Sequence, residues 1–489
     1  MLEISHYING KTYAGNSQQY FHSINPATEE PLAVVQAATE EDVAIAILAA
    51  REAFDHGPWK RMTVQERGAY LHAIADAMQA RLAELASLES QDTGLVHTLC
   101  LYGALPRAIE HFRFFAEEGK RIFGKCVPVG NSYWNVSIPT PLGVIGIVTP
   151  WNAPMTVSTI NLAAALISGN TCVIKPSEVA PVTTAILGEI FTQVGLPPGV
   201  VNIVQGPGQP CGSALIKSKL IDGVCFVGGT DIGKEVLRYS ANTVRRTLLE
   251  LGGKSPTVIL ADADLEKAVD GAMLSCFSSN GQVCIAGSRI IIEAAAYDQF
   301  VESLVHRTNN MKVGAPQNLE TEMGPLVSRQ HLQHVMGYIE RAKQDGVQLA
   351  CGGVRPPEFD KGFYLRPTVF TGVDNKYAMA QEEIFGPVVC VIKANNAEHA
   401  IEIANDTSMG LAGMVWSRDL SKAIHYARQI KAGTVGVNST VIRDIRSPFG
   451  GMKESGIGMI GGEWSIAQYT NWQTICLPIE PYAFPRYGL

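Results

Sequence analysis

The sequence predicts an α/β protein with two domains, each built on an open Rossmann-like parallel sheet, and with an added β-arm. Three observations support this fold class. The chain of 489 residues is too long for one ordinary core. Short apolar runs alternate with helical segments twice, before and after Lys254, and such alternation is typical of parallel βαβ units. The segment between Gly124 and Thr140 interrupts the first alternation and has the pattern of a β-hairpin.

The first hundred residues are predicted to be mostly helical. Thr39-Glu-Glu-Asp42 has the pattern of a helix N-terminus, and apolar residues follow it at helical spacing. Thr63 with Glu66 begins a longer helix that runs toward Gly94. A third helix is predicted over residues 106–118.

Two series of apolar runs follow, and each run is short enough to be a buried strand. The first series occupies residues 144–148, 172–174, 200–204, 224–227 and 248–251. The second comprises a strand over 257–260, a helix over 265–277, a strand over 289–292 and a helix from Tyr297. The hairpin that precedes both series has Gly130-Asn131 at its turn.

Composition and charge exclude several kinds of partner. The net charge of −7 and the isoelectric point near 5.9 argue against nucleic acid and anionic membranes. The N-terminus lacks the pattern of a signal peptide, and no apolar stretch approaches the roughly 20 residues that span a bilayer. The ten cysteines show neither Cys-x-x-Cys spacing nor a histidine at metal-ligand distance, so we expect no metal and a cytoplasmic, reducing location.

One cysteine and one glutamate suggest the chemistry. Cys284 lies in Gly-Gln-Val-Cys284-Ile-Ala-Gly, where small neighbours allow a thiol to meet an electrophile. Glu250 lies in Leu-Leu-Glu250-Leu-Gly-Gly and can act as a general base for the thiol or for water. A single cysteine is more often an inert packing residue, as we expect for Cys172 and Cys225 in their apolar runs, so the pairing with Glu250 carries the hypothesis.

Through these motifs, and over residues 59–470, the chain resembles the aldehyde dehydrogenase superfamily. The resemblance implies that Cys284 attacks a small-molecule aldehyde, that the thiohemiacetal gives a hydride to NAD(P), and that Glu250 activates the water that hydrolyses the thioester. It implies a cofactor domain of residues 1–123, 141–250 and 444–465 and a catalytic domain of residues 251–443. Residues 124–140 and 466–489 are then an oligomerisation arm, in which the hairpin pairs with the C-terminal strand and builds a homodimer or homotetramer.

An oxyanion hole is predicted at Thr149-Pro-Trp151-Asn152-Ala-Pro154, which follows a predicted strand. Charge develops on the carbonyl oxygen when a thiolate adds, and a fixed amide N–H together with a backbone N–H can stabilise it. With the resemblance, we assign this role to Asn152 and the backbone of Cys284. Without the resemblance, an asparagine that satisfies the turn before a helix is the simpler interpretation.

The cofactor site is predicted where the strand at 224–227 turns through Gly228, Gly229 and Thr230 to Gly233, because helix N-termini suit a pyrophosphate. Glu178 follows another strand and can bind both ribose hydroxyls, which favours NAD; NADP stays an alternative, with its 2′-phosphate held by Lys175 and Ser177. The literal G-x-G-x-x-G at residues 456–461 follows no apolar strand and is set aside. The resemblance adds as cofactor residues Trp151, Gly208, Leu251, Glu383 and Phe385.

Two arginines suggest the substrate. The segments around Arg107 and Arg443 resemble those of 5-carboxymethyl-2-hydroxymuconate and 2-hydroxymuconate semialdehyde dehydrogenases, enzymes of aromatic-ring catabolism. In that subgroup the matching arginines bind carboxylates, which suits a planar guanidinium. The alternative is a pair of structural arginines, with Arg107 bound to Glu110 or Glu117 and Arg443 bound near Asp444.

Other functions stay open at this point. They are oxidation of uncharged aromatic or aliphatic aldehydes, transfer of the acyl group to coenzyme A, which Glu250 argues against, and binding without catalysis. Two positions depart from the family pattern. Gly229 replaces a common serine and removes one hydroxyl contact to phosphate, and Asn471 replaces a common glutamate, which predicts slower thioester hydrolysis if that glutamate relays a proton.

Overall fold

The computed structural model describes residues 1–481 and 485–488, so part of the arm predicted over residues 466–489 lies outside the described residues. Within the described part, mainly parallel strands form two large sheets with helices packed against them. The predicted fold class is therefore confirmed. The division of the chain into domains stays a prediction.

The first sheet has eight strands, and its five central strands run parallel. An antiparallel edge strand, Gly456–Ile457, covers one side, and an N-terminal hairpin covers the other. In spatial order the strands are Gly456–Ile457, Arg246–Glu250, Gly223–Val227, Val144–Val148, Thr171–Lys175, Val201–Ile203, His6–Ile8 and Lys11–Tyr13. The helices in this part of the chain are Glu40–Asp55, Val64–Ala80, Leu82–Thr93, Leu105–Glu118, Pro154–Ile167, Val182–Gln193, Ser213–Lys217 and Thr230–Ala241.

The second sheet has seven strands, of which only the edge strand Gln348–Cys351 is antiparallel to its neighbour. In spatial order they are Gln348–Cys351, Thr368–Thr371, Val388–Ala394, Arg289–Glu293, Pro256–Ile259, Ala412–Trp416 and Thr434–Val437. The accompanying helices are Leu265–Phe277, Tyr297–Asn309, Arg329–Gln344, Ala378–Gln381, Ala397–Asn405 and Leu420–Ala427.

The predicted hairpin forms the strands Lys125–Val129 and Tyr133–Pro141, and the turn residue Gly130 has a positive φ of 59°. Its second strand pairs antiparallel with Thr470–Pro478 at the C-terminal end, which confirms the predicted pairing. The helix Gly462–Gln468 precedes that C-terminal strand. None of the helices in the described residues is long and apolar enough to cross a membrane.

The N-terminal region shows where the sequence prediction succeeded and where it was wrong. Thr39 and Asp42 form a complete capping box at the helix Glu40–Asp55, as predicted. The helix predicted from Thr63 to Gly94 is broken at Arg81, which has non-helical backbone angles, into Val64–Ala80 and Leu82–Thr93. The prediction also overlooked five strands before residue 37, each only three to six residues long: Leu2–Ile4, His6–Ile8, Lys11–Tyr13, Tyr20–Ile24 and Pro31–Gln36.

Candidate active site

The topology of the first sheet gathers several predicted residues at one edge. Parallel neighbours end together, and Val148 pairs with Lys175 while Val227 pairs with Glu250. The segments that leave these strand ends carry Asn152, Glu178, Gly228 and Leu251. The carboxyl ends of parallel strands are where α/β sheets bind ligands, so this edge is the candidate site.

The loop that carries Cys284 follows the helix Leu265–Phe277, which accompanies the second sheet. Three consecutive residues, Ser279, Asn280 and Gly281, have φ values of 52°, 58° and 70°. Asn280 holds this turn, because its Nδ2 donates to the carbonyls of Gly94 and Pro325, each at 2.9 Å, and its Oδ1 accepts from the Gly324 N–H at 2.8 Å. Asparagine tolerates the left-handed conformation better than most residues.

Cys284 is half-buried, whereas Cys172 and Cys225 are completely buried in strands, as predicted. Burial, together with the charges of Glu383 and Glu250, raises the pKa of the Cys284 thiol to about 12 against an opposing contribution from Arg443. At neutral pH the sulfur therefore carries its proton, and a nucleophilic attack needs a base.

Glu250 is the last residue of its strand, and its side chain is buried. Its Oε1 has no hydrogen-bond partner in the described part of the chain. Burial raises the pKa of this carboxyl to about 7, with an opposing contribution from Arg443. An unpartnered carboxyl that titrates near neutrality is suited to general-base chemistry.

Asn152 lies against the loop of the nucleophile. Its Nδ2 donates to the carbonyl oxygen of Gln282, two residues before Cys284, at 2.9 Å. The backbone N–H of Cys284 makes a hydrogen bond to its own sulfur, which lowers the pKa of the thiol. The amide of Asn152 and this N–H therefore both lie at the loop that carries Cys284, and their role as an oxyanion hole stays a prediction.

A cavity of about 180 Å³ opens beside Glu178, between the helices Ser213–Lys217 and Thr230–Ala241. Its lining includes Lys175 and Gly208. Glu178 Oε2 lies 3.0 Å from Lys175 Nζ, and its Oε1 accepts from the Gly208 N–H at 3.3 Å. Burial would raise the pKa of Glu178, but the charge of Lys175 and these hydrogen bonds lower it below its usual value. The Ser177 hydroxyl accepts from the Val179 N–H at 3.2 Å.

The helix Thr230–Ala241 begins next to this cavity, with Gly229 as its N-cap. The Thr230 hydroxyl is buried, and no described residue makes a hydrogen bond to it. A Cβ added at Gly229 would meet nothing within 4 Å, whereas one at Gly233 would lie 2.4 Å from the side chain of Leu251. Gly233 thus lets the helix approach Leu251 closely, and the helix N-terminus remains open to an anion.

Glu383 and Phe385, two predicted cofactor residues that lie between strands of the second sheet, contact segments at this edge of the first sheet. Glu383 Oε1 accepts from the Gly253 N–H at 2.9 Å, and burial raises the pKa of this carboxyl to about 7. Phe385 has a φ of 57°, and its ring meets Trp151 edge-on at 5.2 Å. His331 Nε2 contacts the Phe385 carbonyl at 2.7 Å.

Arg107 and Arg443 share a cavity of about 400 Å³, named the arginine cavity here, which is also lined by Glu110, His111, Phe114, Ile160, Asp444, Ile445 and Arg446. Arg443 lies over the ring of Phe449 at 4.3 Å, and its Nη2 is buried without a hydrogen-bond partner among the residues described. Neither Arg107 nor Arg443 has a carboxylate within 4.0 Å in that set.

The ion pairs named in the structural alternative are therefore not formed among the described residues, and the role of the two arginines stays a prediction. Glu117 binds Lys120 at 2.6 Å and His72 at 2.9 Å, and Asp444 binds Arg446 at 2.7 Å. Burial lowers the pKa of Arg443, while the charges of Glu250 and Cys284 raise it. The arginine cavity thus adjoins the reacting groups.

The structure also places two further features of the sequence, Asn471 and the glycine-rich residues 456–461. Asn471 Oδ1 accepts from Arg246 Nη2 at 3.3 Å, at the start of the strand that ends with Glu250. Four residues of strand separate the two ends by about 13 Å, so this placement gives no support to slower hydrolysis caused by Asn471. The strand Gly456–Ile457 pairs antiparallel with Leu249 and Glu250, so residues 456–461 form no βαβ turn and setting them aside is confirmed.

The sequence analysis missed several residues that shape the site. Gly253 allows the closest approach, because a Cβ there would lie 2.2 Å from the Cys284 carbonyl oxygen. The consecutive glycines Gly252-Gly253, directly after Leu251, could have indicated this close approach. Nothing in the sequence indicated Asn280, His331 or His111, because their hydrogen-bond partners are distant in the chain.

The chain was also compared with known proteins. The model of the aldehyde dehydrogenase family matches residues 13–475. The chain is 40% identical over 470 residues to the 5-carboxymethyl-2-hydroxymuconate semialdehyde dehydrogenase of Escherichia coli, which covers 95% of this chain and 99% of that protein. It is 38% identical over 487 residues to the 2-hydroxymuconic semialdehyde dehydrogenase of Pseudomonas sp. (strain CF600), with coverages of 98% and 100%. The NAD+ complex of an aldehyde dehydrogenase from Bacillus cereus superimposes with a TM-score of 0.96 at 40% identity, covering 98% and 97% of the two chains.

Proposed function

The chain belongs to the aldehyde dehydrogenase family, and on this premise we propose that it oxidises a carboxylated semialdehyde to the free acid, with NAD as cofactor and Cys284 as nucleophile. The observation that carries the proposal is the half-buried Cys284 in electrostatic contact with the unpartnered carboxyl of Glu250. The reaction is then an oxidation in two covalent stages.

In the first stage Glu250 takes the proton of Cys284, and the sulfur adds to the carbonyl carbon of the aldehyde. The pKa of the thiol, about 12, lies well above that of Glu250, about 7, so the thiolate is a minor species. The nearby guanidinium of Arg443 lowers the pKa of the thiol and favours its formation. The amide of Asn152 and the Cys284 N–H stabilise the negative oxygen of the adduct.

The residues around the cavity beside Glu178 fit NAD. Glu178 offers a carboxylate for the ribose diol, and the open helix N-terminus at Gly229 and Thr230 offers N–H groups and an unpartnered hydroxyl for the pyrophosphate. Glu383, Phe385 and Trp151 would hold the nicotinamide end. When bound there, NAD would supply the hydride acceptor that the oxidation of the Cys284 thiohemiacetal to a thioester needs. Lys175 is already paired with Glu178, which supports NAD over NADP.

In the second stage a water molecule attacks the thioester. Glu250, after it has released the proton of Cys284 to solvent, accepts the proton of this water. The carbon–sulfur bond breaks and the acid leaves, and the sulfur takes the proton from Glu250, so that Cys284 is regenerated as a thiol. A base that serves water would be wasteful in an enzyme that passes its acyl group to coenzyme A. Glu250 therefore supports hydrolysis.

The substrate class rests on the arginine cavity. Arg107 and Arg443 have no carboxylate partner within 4.0 Å in the described residues, although two guanidinium groups share one cavity. Placing two like charges together without an anion is unfavourable, and a substrate carboxylate would relieve this. Two relatives of this chain are named as semialdehyde dehydrogenases of carboxylated muconates, which agrees with this class.

Location and assembly are part of the proposal. All ten cysteines are free, which supports a reducing cytoplasm. The arm exposes a row of apolar side chains that a second copy would cover, and a homodimer or homotetramer follows: Val127, Val129, Trp134, Ile138, Trp472, Ile475 and Leu477.

The decisive experiment is Cys284→Ala, assayed by NADH formation with 6-oxohexanoate, a carboxylated aldehyde. We expect the activity to be lost while NAD binding and oligomeric state persist, because only the covalent stage needs the sulfur. The control is Cys476→Ala, which removes an exposed thiol on the arm and should leave activity unchanged. Activity of Cys284→Ala within a few-fold of the parent would disprove the mechanism.

A further inference from the structure

The helix Pro154–Ile167, which begins just after the predicted oxyanion residue, is not capped by its own segment. Its N-cap, Ala153, has no side-chain acceptor, and its first residue is a proline, which has no N–H. The first N–H that the helix offers is that of Met155, which donates to Oε1 of Glu89 at 3.4 Å. A carboxyl group from a distant segment therefore caps this helix.

Glu89 is completely buried, and the mechanism above gives it no role. Its other oxygen, Oε2, accepts from the Thr183 hydroxyl, so both oxygens have a partner. Burial of a carboxyl group is unfavourable, and a serine or threonine in place of Ala153 would cap the helix without it. Such a local cap would fix the helix only to its own segment, whereas Glu89 fixes it to a second helix.

That second helix, Leu82–Thr93, also holds the nucleophile loop. It ends at Gly94, which has a φ of 77°, and the Gly94 carbonyl accepts from Asn280 Nδ2 at 2.9 Å. The same helix end therefore contacts the segment of Asn152 through Glu89 and the nucleophile loop through its terminal carbonyl.

A third hydrogen bond connects these two segments directly. Asn152 Nδ2 donates to the Gln282 carbonyl at 2.9 Å, and Gln282 lies two residues after Asn280. Asn152 itself lies three residues before Met155. The contacts thus form a closed ring, which leads from Glu89 through the Asn152 segment to the nucleophile loop and back to the helix of Glu89. Such supporting hydrogen bonds restrict the movement of the groups that they connect.

We propose that Glu89 is a positioning residue, which holds the amide of Asn152 at a fixed distance from the sulfur of Cys284. The inference rests on the proposed function, in which this amide stabilises the negative oxygen of the adduct. Such stabilisation requires donors that are already in place when the charge develops. The oxygen becomes negative both when the sulfur adds and when water attacks the thioester, so a misplaced amide would slow both stages.

The first test compares Glu89→Met, which removes both acceptor oxygens, with Glu89→Gln, which retains Oε1. Glu89→Met should lower kcat about tenfold, a part of the roughly 10²–10³-fold that one oxyanion donor contributes. The factor should be equal for 6-oxohexanoate and benzaldehyde, because the negative oxygen is common to all aldehydes. The KM for NAD should stay within a few-fold, and Glu89→Gln should restore most of kcat. A parent-like kcat in Glu89→Met would overturn the inference.

The matched control is Asp92→Ala. Asp92 lies one turn after Glu89 on the same helix and is equally buried, but it caps a different helix, Val182–Gln193, through the Val182 N–H at 2.9 Å. Both Glu89→Met and Asp92→Ala remove a buried cap and should lower the melting temperature. Only Glu89→Met should lower kcat about tenfold. Equal losses of kcat in the two variants would make the role of Glu89 structural and overturn the inference.

A double-mutant cycle tests whether Glu89 acts through Asn152. Asn152→Ala should lower kcat more than Glu89→Met, and the double variant should be no slower than Asn152→Ala, because the amide that Glu89 positions is then absent. If Glu89→Met does not fold, Thr183→Val takes its place in the cycle, since it removes only the partner of Oε2 and should give a smaller loss that is likewise absent beside Asn152→Ala.

The outcomes of the cycle separate this inference from the proposed function. Losses that add in the double variant would overturn the positioning role of Glu89 and leave the proposed function intact. Full activity of Asn152→Ala would instead contradict the oxyanion hole of the proposed function, and the role of Glu89 would fail with it.

Discussion

The proposed cofactor side and the proposed substrate side of the site are built in different ways. On the cofactor side, Glu178, Gly228 and Glu250 follow the ends of neighbouring parallel strands, so the backbone topology places them. On the substrate side, the arginine cavity is assembled from two helices and a loop, with Arg107 and Arg443 far apart in the chain. The backbone thus fixes the cofactor side, whereas a few side chains define the substrate side and can be exchanged individually.

In the proposed mechanism Glu250 is the general base for every aldehyde, so its removal tests the chemistry that the two sides have in common. We expect Glu250→Gln to lower the steady-state rate about a thousandfold for every aldehyde, because a general base contributes roughly 10²–10⁴-fold. If hydrolysis becomes limiting, an NADH burst of one equivalent and an acyl-enzyme in the mass spectrum should appear. A loss confined to carboxylated aldehydes would place Glu250 on the substrate side instead.

The pH profile is a second measurement on the same residue. A base must be deprotonated to act, and burial raises the pKa of Glu250 to about 7. The parent rate should therefore rise with pH through about 7 and then level off, and Glu250→Gln should lack this limb. A parent profile that is flat from pH 6 to pH 8 would contradict the assignment.

Arg107→Ala tests the substrate side alone. We expect a loss of about 2 kcal/mol, or about 30-fold in kcat/KM, for 6-oxohexanoate, because a charge-assisted hydrogen bond is removed. Benzaldehyde should be almost unaffected. The matched control is Arg113→Ala on the same helix, whose guanidinium binds Asp76 at 3.1 Å. Equal losses on both substrates would make Arg107 structural.

Arg443→Ala should differ from Arg107→Ala in one respect. Its guanidinium lowers the pKa of both Cys284 and Glu250, so the variant should lose carboxylate specificity and also slow the oxidation of benzaldehyde. Identical rates of the two variants on benzaldehyde would show that Arg443, like Arg107, only binds the substrate carboxylate and does not influence Cys284 or Glu250.

The smallest effect is expected on the cofactor side. The Glu178 carboxylate repels a 2′-phosphate, so NAD should exceed NADP in kcat/KM by at least about tenfold, or roughly 1.4 kcal/mol. Glu178→Gln should narrow this ratio without changing the preference between carboxylated and uncharged aldehydes. Equal use of both cofactors by the parent would show that Lys175 and Ser177 dominate.

The same contrast explains what the sequence could predict. The strands that end near Asn152, Glu178 and Glu250 were visible as apolar runs, because a strand buried on both faces has a continuous apolar pattern. The N-terminal strands before residue 37 were missed because they are only three to six residues long, too short to give a clear periodic pattern. The hydrogen bond between His111 and Thr159 could not be predicted, because it depends on how two helices pack.

The turn held by Asn280 has a consequence for the synthesis of the enzyme. Asn280 is bound to Gly94 and to Gly324 and Pro325, so the nucleophile loop depends on segments from both the early and the middle part of the chain. A nascent chain that ends at Glu250 already contains Gly94 but still lacks Gly324 and Pro325. We therefore expect the thiol to become a positioned nucleophile only after residue 325 has left the ribosome, when about two thirds of the 489 residues have been synthesised.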